Sequence, residues 1–176
     1  MQMSENGKNL SPADPCYAEI IEFLHHEAEL LDHGQFSDWL GMLTGDVRYR
    51  MPVRSNLAPA RSDYKEKTEI FSENMASLQV RVKRLSTDYA WAESPRSRTR
   101  HLVTNVRVRL TENPQEVEVS SYILVYRNRS NSSSHDLLSG ERQDLMRRVD
   151  GKWRLASRTV LLDQVVVGSR NLSIFF

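Results

Sequence analysis

The chain of 176 residues has one cysteine, Cys16. A lone thiol excludes an internal disulfide, and it cannot hold an iron–sulfur cluster or a structural zinc site. The simplest compartment for such a chain is the cytoplasm. Glycine is also sparse, with seven residues. None of them forms a glycine-rich turn after a strand pattern, so neither a dinucleotide site nor a P-loop is supported. No serine stands in a nucleophile-elbow context. No apolar run nears the roughly 20 residues that a membrane helix needs, and the opening MQMSENGKNLSPAD lacks the apolar core of a signal peptide. A formal net charge of +1 gives no electrostatic reason to expect nucleic acid or an acidic membrane as partner.

What is present describes a globular chain. Hydrophobic content of 39% against 27% charged is enough to bury a core, and the length suits one domain over residues 14–176 after a tail of residues 1–13. That tail is either disordered or a clamp onto something else. Residues 16–54 organise the rest. Tyr17, Ile20, Ile21, Leu24, Ala28 and Leu31 recur at helical spacing, with Asp14 placed to cap, Pro15 at the first helical position and Gly34 to stop. Ser37 is expected to restart a short helix carrying Trp39, Leu40 and Leu43. Val47, Tyr49, Met51 and Val53 then alternate as a strand. A proline-containing loop over residues 54–67 leads to a third helix, expected to be capped by Ser72 and to carry Met75, Leu78, Val82 and Leu85 inward, with Arg81, Lys83 and Arg84 on its solvated face.

From residue 90 the period changes to two. Leu102, Thr104, Val106, Val108 and Leu110 are expected on one face of a strand. A second strand over residues 117–126 has apolar residues on both faces and reads as central and covered on both sides. Residues 128–134 read as a flexible hairpin tip, and Asp150-Gly151 as a tight hairpin between strands 137–149 and 153–163. Helices followed by long antiparallel strands define an α+β fold, with the sheet curling around the helices.

Chemistry-bearing residues are few. Of the histidines His25, His26, His33, His101 and His135, the first three read as the rim of a helix with no further metal ligand identified. Cys16 reads as structural or incidental. The densest polar stretch is PRSRTRHLVTNVRVR, residues 95–109, with five arginines and no carboxylate. Arg96, Arg98 and Arg100 fall on the side of Leu102, so either a bulge intervenes or these arginines leave the core. They then pair with acids such as Glu93, Glu141 and Asp144, or form a docking surface for carboxylates of a partner.

The combination of EAELLDHGQFSDWLGMLTGDVRYRMPVR, then AWAESPRSRTRHLVTNV, then LLDQ and NLSIFF resembles the small, or β, subunit of bacterial aromatic-ring-hydroxylating dioxygenases, from about Tyr17 to Phe176. Ser94-Pro95-Arg96 stands where that family usually has two prolines. The resemblance implies a cone-like α+β fold similar to nuclear transport factor 2, scytalone dehydratase and ketosteroid isomerase. It implies an assembly of three large and three small subunits, so the partners are the large subunit and other copies of this chain. The Rieske [2Fe-2S] cluster and the mononuclear non-haem iron would sit in the large subunit, electrons would come from NADH, and this chain would hold no cofactor. By position, Arg98, Thr99, Arg100 and His101, with Asn171, Phe175 and Phe176 of the terminal segment, become candidates for subunit contacts or for fixing the sheet edge. Ile174, Phe175 and Phe176 either meet a partner or fold back into the chain's own core.

The same fold also admits a different class, a free-standing dehydratase or isomerase with a pocket of its own. Its candidates are Asp46 or His101 as general base, with Tyr49 or Tyr122 donating a hydrogen bond. An open cavity with Asp46 and His101 converging would favour that class, and an interior lined by large apolar side chains would count against it.

Overall fold

The computed structural model describes residues 8–54, 64–85, 96–128, 134–164 and 174–176. Helix α1, Pro15–His33, starts as its sequence dictates: the Asp14 side chain accepts from the Cys16 amide, and Gly34 closes the helix in the left-handed region at φ 68°. Its Ile20, Phe23, Leu24, Leu30 and Leu31 are buried. Helix α2, Phe36–Gly41, is shorter than expected, because Leu43 already belongs to strand β1, Leu43–Arg54. The polar stretch read as the end of a loop is strand β2, Tyr64–Asn74. Ser72 therefore pairs with Arg50 rather than capping a helix. The cap of α3, Met75–Leu85, is Asn74: its side chain accepts from the Ser77 amide while the Ser77 hydroxyl accepts from the Asn74 amide.

Four long strands follow, β3 (Arg98–Leu110), β4 (Glu116–Asn128), β5 (His135–Val149) and β6 (Lys152–Leu162). The sheet order is β2-β1-β6-β5-β4-β3, antiparallel at every junction except the parallel β1–β6 pair. It is an open, mixed sheet whose inner face packs on the helices. Asp150 and Gly151, at φ 51° and 76°, make the β5–β6 turn. Residues 8–10, expected in the tail, extend the β3 edge instead, through Leu10 N–H to Val108 O (2.8 Å) and Leu110 N–H to Lys8 O (3.1 Å). The hairpin tip expected over residues 128–134 lies largely outside the described residues.

Strand β3 does not keep one face throughout. The β3–β4 register shifts between Thr104 and Arg107, and Asn105 there has φ 53°. Before this bulge Thr99, His101 and Val103 point inward, and after it Val106 and Val108 do. Leu102, expected inside, is therefore 51% exposed. Strand β4 is central in the sheet, but its outer face is open: Tyr122 and Tyr126 are exposed. Asn105→Val puts a β-branched side chain in the left-handed region and is expected to cost about 1–2 kcal/mol. Asn105→Gly should leave the urea midpoint nearly unchanged. Equal midpoints for the two variants would contradict this account of the bulge.

Candidate functional site

Strand alternation splits the Arg98–His101 stretch into two functions. Arg98 and Arg100 face outward and are exposed, whereas Thr99 and His101 face the core. The His101 side chain, 3% exposed, joins α1 to the terminal segment. Its Nδ1 lies 2.6 Å from Asp32 Oδ1 and its Nε2 2.9 Å from the Phe175 carbonyl oxygen, while its amide donates to Asp32 Oδ2 at 3.1 Å. Burial alone would raise the Asp32 carboxyl, but the hydrogen bond and charge of His101, with a further bond from Thr99, hold it below the ordinary 3.8.

A depressed carboxyl contributes stability that is complete above its unfolded value and is lost as pH falls through the folded one. The urea midpoint should therefore drop on acidification below about pH 3.8. Asp32→Asn should make that drop shallower, with Glu27 and Asp46 supplying the remainder; an unchanged acid limb would contradict the assignment.

Phe175 and Phe176, candidates for subunit contact, are 2% and 0% exposed within this chain. The Phe175 ring lies 4.4 Å from the Trp39 ring and edge-on to Phe36 at 5.4 Å, and the Arg81 guanidinium sits over it, 4.4 Å from its centre. Arg81, expected on the solvated face of its helix, in fact points inward to donate to Glu73 (2.9 Å) and the Ile174 carbonyl oxygen (2.6 Å). Asn171 lies outside the described residues. A recess of about 30 Å³ remains among Leu31, Asp32, Phe36, Thr99, His101 and Phe175, room for a water or two.

The middle of the cone holds a charge network that the sequence pattern did not reveal. Glu27 of α1 is 1% exposed and receives both guanidinium ends of Arg158, at 2.8 Å each, together with the Trp39 indole N–H at 3.1 Å. Arg158 also grips Asp144 at 2.8 and 2.7 Å and donates to the Phe176 oxygen at 2.6 Å. Arg142 adds bonds to Ser121 and Glu27. Burial pushes the Glu27 carboxyl up, but the charges of Arg158 and Arg142 outweigh it and the net shift is downward. Arg158 is desolvated too, yet Asp144 and Glu27 hold it well above its ordinary value; Arg142, less fully paired, is lowered by burial and by the like charge of Arg158. The one local signal was Glu27 itself, which falls on the apolar face of α1 with Ile20, Phe23, Leu24 and Leu31.

The acid–base candidates are not brought together. Asp46 lies at the solvent on β1, where Arg147 donates to both of its oxygens at 3.1 and 2.9 Å. Hydrogen bonds from Arg147 and Thr44 hold its carboxyl below the ordinary range. Three strands, β6, β5 and β4, separate it from His101 on β3. The Tyr49 hydroxyl is used twice within the core, donating to the Phe176 oxygen and accepting from the Phe176 amide, both at 2.8 Å. Tyr122 is on the outer face. Burial raises the Cys16 thiol, so it is not an activated nucleophile. Among the described residues no group of three or more His, Cys, Asp or Glu is placed to hold a metal ion, and no helix is long and apolar enough to cross a membrane.

Helices laid across an open, curved sheet define a cone-shaped α+β class. A structure assigned as a scytalone dehydratase from Novosphingobium aromaticivorans DSM 12444 shares it, with a TM-score of 0.63 over 88% of this chain and 89% of that one; at 13% identity the likeness is of fold alone. Within that class, the family described as "Ring hydroxylating beta subunit" matches residues 26–169, and the chain belongs to it. It is 38% identical to the biphenyl 2,3-dioxygenase subunit beta of Rhodococcus jostii (strain RHA1), over 94% of this chain and 92% of that protein. It is 37% identical to a benzene 1,2-dioxygenase subunit beta of Pseudomonas putida, over 90% and 87%. A naphthalene 1,2-dioxygenase structure with indole in its active site superposes with a TM-score of 0.82 at 26% identity, covering 90% of this chain and 84% of its counterpart.

Proposed function

We propose that this chain is a structural and assembly subunit of a cytoplasmic aromatic-ring-hydroxylating dioxygenase that cis-dihydroxylates mono- or polycyclic arenes. Three copies join three large subunits. The large subunit holds the Rieske cluster and the mononuclear iron, and NADH supplies electrons through the associated transfer chain. The observation that carries the reading is the filled cone: Trp39, Tyr49, Phe175 and Phe176 occupy the interior with the Glu27–Arg158–Asp144 network. The remaining recess beside His101 takes water, not an arene. Asp46 and His101 are both engaged in pairs that tie elements together, at separate places in the sheet.

The experiment is turnover of an arene with dioxygen, NADH and the associated electron-transfer proteins. The chain alone should form no product, and the complex with its large subunit should form the diol. Asp46→Asn in that complex should leave the turnover number within about twofold, whereas a general base would lose roughly a hundredfold or more. Turnover by the chain alone, or collapse in Asp46→Asn, would refute the proposal.

A further inference from the structure

A histidine whose two ring nitrogens both face acceptors is satisfied only when it carries both protons. His101 is placed so. Its Nδ1 lies 2.6 Å from Asp32 Oδ1, and its Nε2 lies 2.9 Å from the Phe175 carbonyl oxygen. A backbone carbonyl has no proton to give, and neither has an ionised carboxylate. Asp32 is ionised in this setting: it also accepts from the His101 amide and the Thr99 hydroxyl, and these bonds keep its carboxyl below the ordinary 3.8. A neutral ring has one N–H and serves only one of the two partners. The other charges around the ring are turned elsewhere. On α1, His33 follows Asp32 but bonds the Glu29 oxygen. From α3, Arg81 donates to Glu73 of β2 and to the Ile174 oxygen. Ahead of β3, Arg96 lies over Phe36 and donates to the Gly34 oxygen at 3.4 Å. On β4, Val125 pairs with His101, and the inward Arg127 two residues on donates to Ser97 and stands 3.8 Å from Asp136. On β6, Arg158 reaches the Phe176 oxygen. Among the described residues, the ring's ionic contact is Asp32.

We propose that His101 is a proton-operated latch: with both ring protons it fastens the Phe175–Phe176 peptide to the sheet, and with one it releases that peptide while staying on Asp32. The direction follows from charge. The contact with Asp32 is the shorter of the two and has a charged acceptor, so the proton that leaves is the one on Nε2. The Nε2 lone pair then faces the Phe175 oxygen, and attraction becomes repulsion. The sheet keeps its tie to α1 through Nδ1 and the His101 amide. The same peptide's N–H donates to the Tyr49 hydroxyl at 2.8 Å, and Arg81 and Arg158 hold the flanking oxygens of Ile174 and Phe176. Release is therefore a local shift of one peptide and of the Phe175 ring against Trp39, and the segment stays in the cone. Of the side chains that hold the terminal segment by hydrogen bonds among the described residues, His101 alone is of a type that titrates near neutrality. The latch lies in the fold of the single chain and does not depend on the assembly reading.

The test is nuclear magnetic resonance of the full chain labelled with heavy nitrogen, titrated from mildly acidic to mildly alkaline pH. The two ring nitrogens of His101 and the backbone amide of Phe176 are followed together. At the acidic end both ring nitrogens should carry protons. As pH rises, Nε2 should lose its proton and Nδ1 keep its own. The Phe176 amide, in the same peptide as the Phe175 oxygen, should shift with the same midpoint as Nε2. The indole N–H of Trp39 should follow it. His101→Gln has no titrating ring, so its Phe176 amide should show no such step. The parent titration decides the matter even if that variant folds poorly. Loss of the proton from Nδ1 would overturn the direction of the latch. A Phe176 amide that stays still while the ring titrates would overturn the release. A ring with one proton at the acidic end, or with two until the chain unfolds, would overturn the latch altogether. A step at Phe176 that survives in His101→Gln would assign it to another group and overturn the proposal as well.

Discussion

Arg158→Met is expected to cost about 3–5 kcal/mol and to leave the chain largely insoluble on expression. The reason is the asymmetry of buried ion pairs. Moving Glu27, Asp144 and Arg158 out of water is expensive, and the network recovers that cost only while every member is satisfied. Arg158 makes two bonds to Glu27, two to Asp144 and one to the Phe176 oxygen, and all three side chains are at most 1% exposed. Removing it leaves buried Asp144 without its cation, Glu27 with only Arg142 and the Trp39 indole, and the Phe176 oxygen with only the Tyr49 hydroxyl. Glu27→Gln should also destabilise, but by less, because the amide oxygen still accepts from one guanidinium end. The double variant Glu27→Gln, Arg158→Met should lose less than the sum of the single losses, since the two act through one contact. Urea unfolding followed by circular dichroism measures all three. A loss under about 1 kcal/mol for Arg158→Met would mean that the network is hydrated and does not carry the core.

The second large effect belongs to Phe175. Phe175→Ala should cost about 3–5 kcal/mol, because the ring fills the space between Trp39, Phe36 and the Arg81 guanidinium. Its loss also loosens the backbone oxygens that His101 and Arg81 use. Fluorescence of the buried Trp39 reports the change directly and should shift to longer wavelength as water enters. Phe175→Leu should recover roughly half of the loss, as a side chain that still fills part of the cavity. If Phe175→Ala unfolds at the parent's urea concentration but no longer assembles with the large subunit, the ring serves a partner and not this core.

The sequence exposed those parts of the structure whose causes are local. Helix α1 was legible because its cap, its first-turn proline, its glycine stop and its apolar stripe all agree. The β5–β6 hairpin was legible because Asp150-Gly151 tolerates two positive φ angles. Strand β2 was hidden: YKEKTEIFSEN has no hydrophobic alternation, and in this edge strand, paired only with β1, none of residues 68–74 is fully buried. The bulge at Asn105 has no sequence mark, so strict alternation put Leu102 on the wrong face. The charge network is the deepest omission. Glutamate, aspartate and arginine are read as surface residues, and what brings them inside here is mutual pairing among α1, β5 and β6. No local window spans that. Arg81 misled for the same reason, because its partners Glu73 and Ile174 come from β2 and from the end of the chain.

The candidate site was legible as a motif and not as geometry. Arg98, Thr99, Arg100 and His101 were singled out together with the terminal segment, and His101 reaches the Phe175 carbonyl oxygen. What alternation then decides is the division of labour: Thr99 and His101 lock α1 and the terminal segment to the sheet, while Arg98 and Arg100 remain outside.

The measurement that tests the central claim most directly is light scattering with iron analysis on this chain expressed alone and together with its large subunit. The account predicts a particle containing three copies of each chain, with iron in it, and no iron on this chain by itself. A chain that stays at 20.4 kDa in the presence of that partner would contradict it.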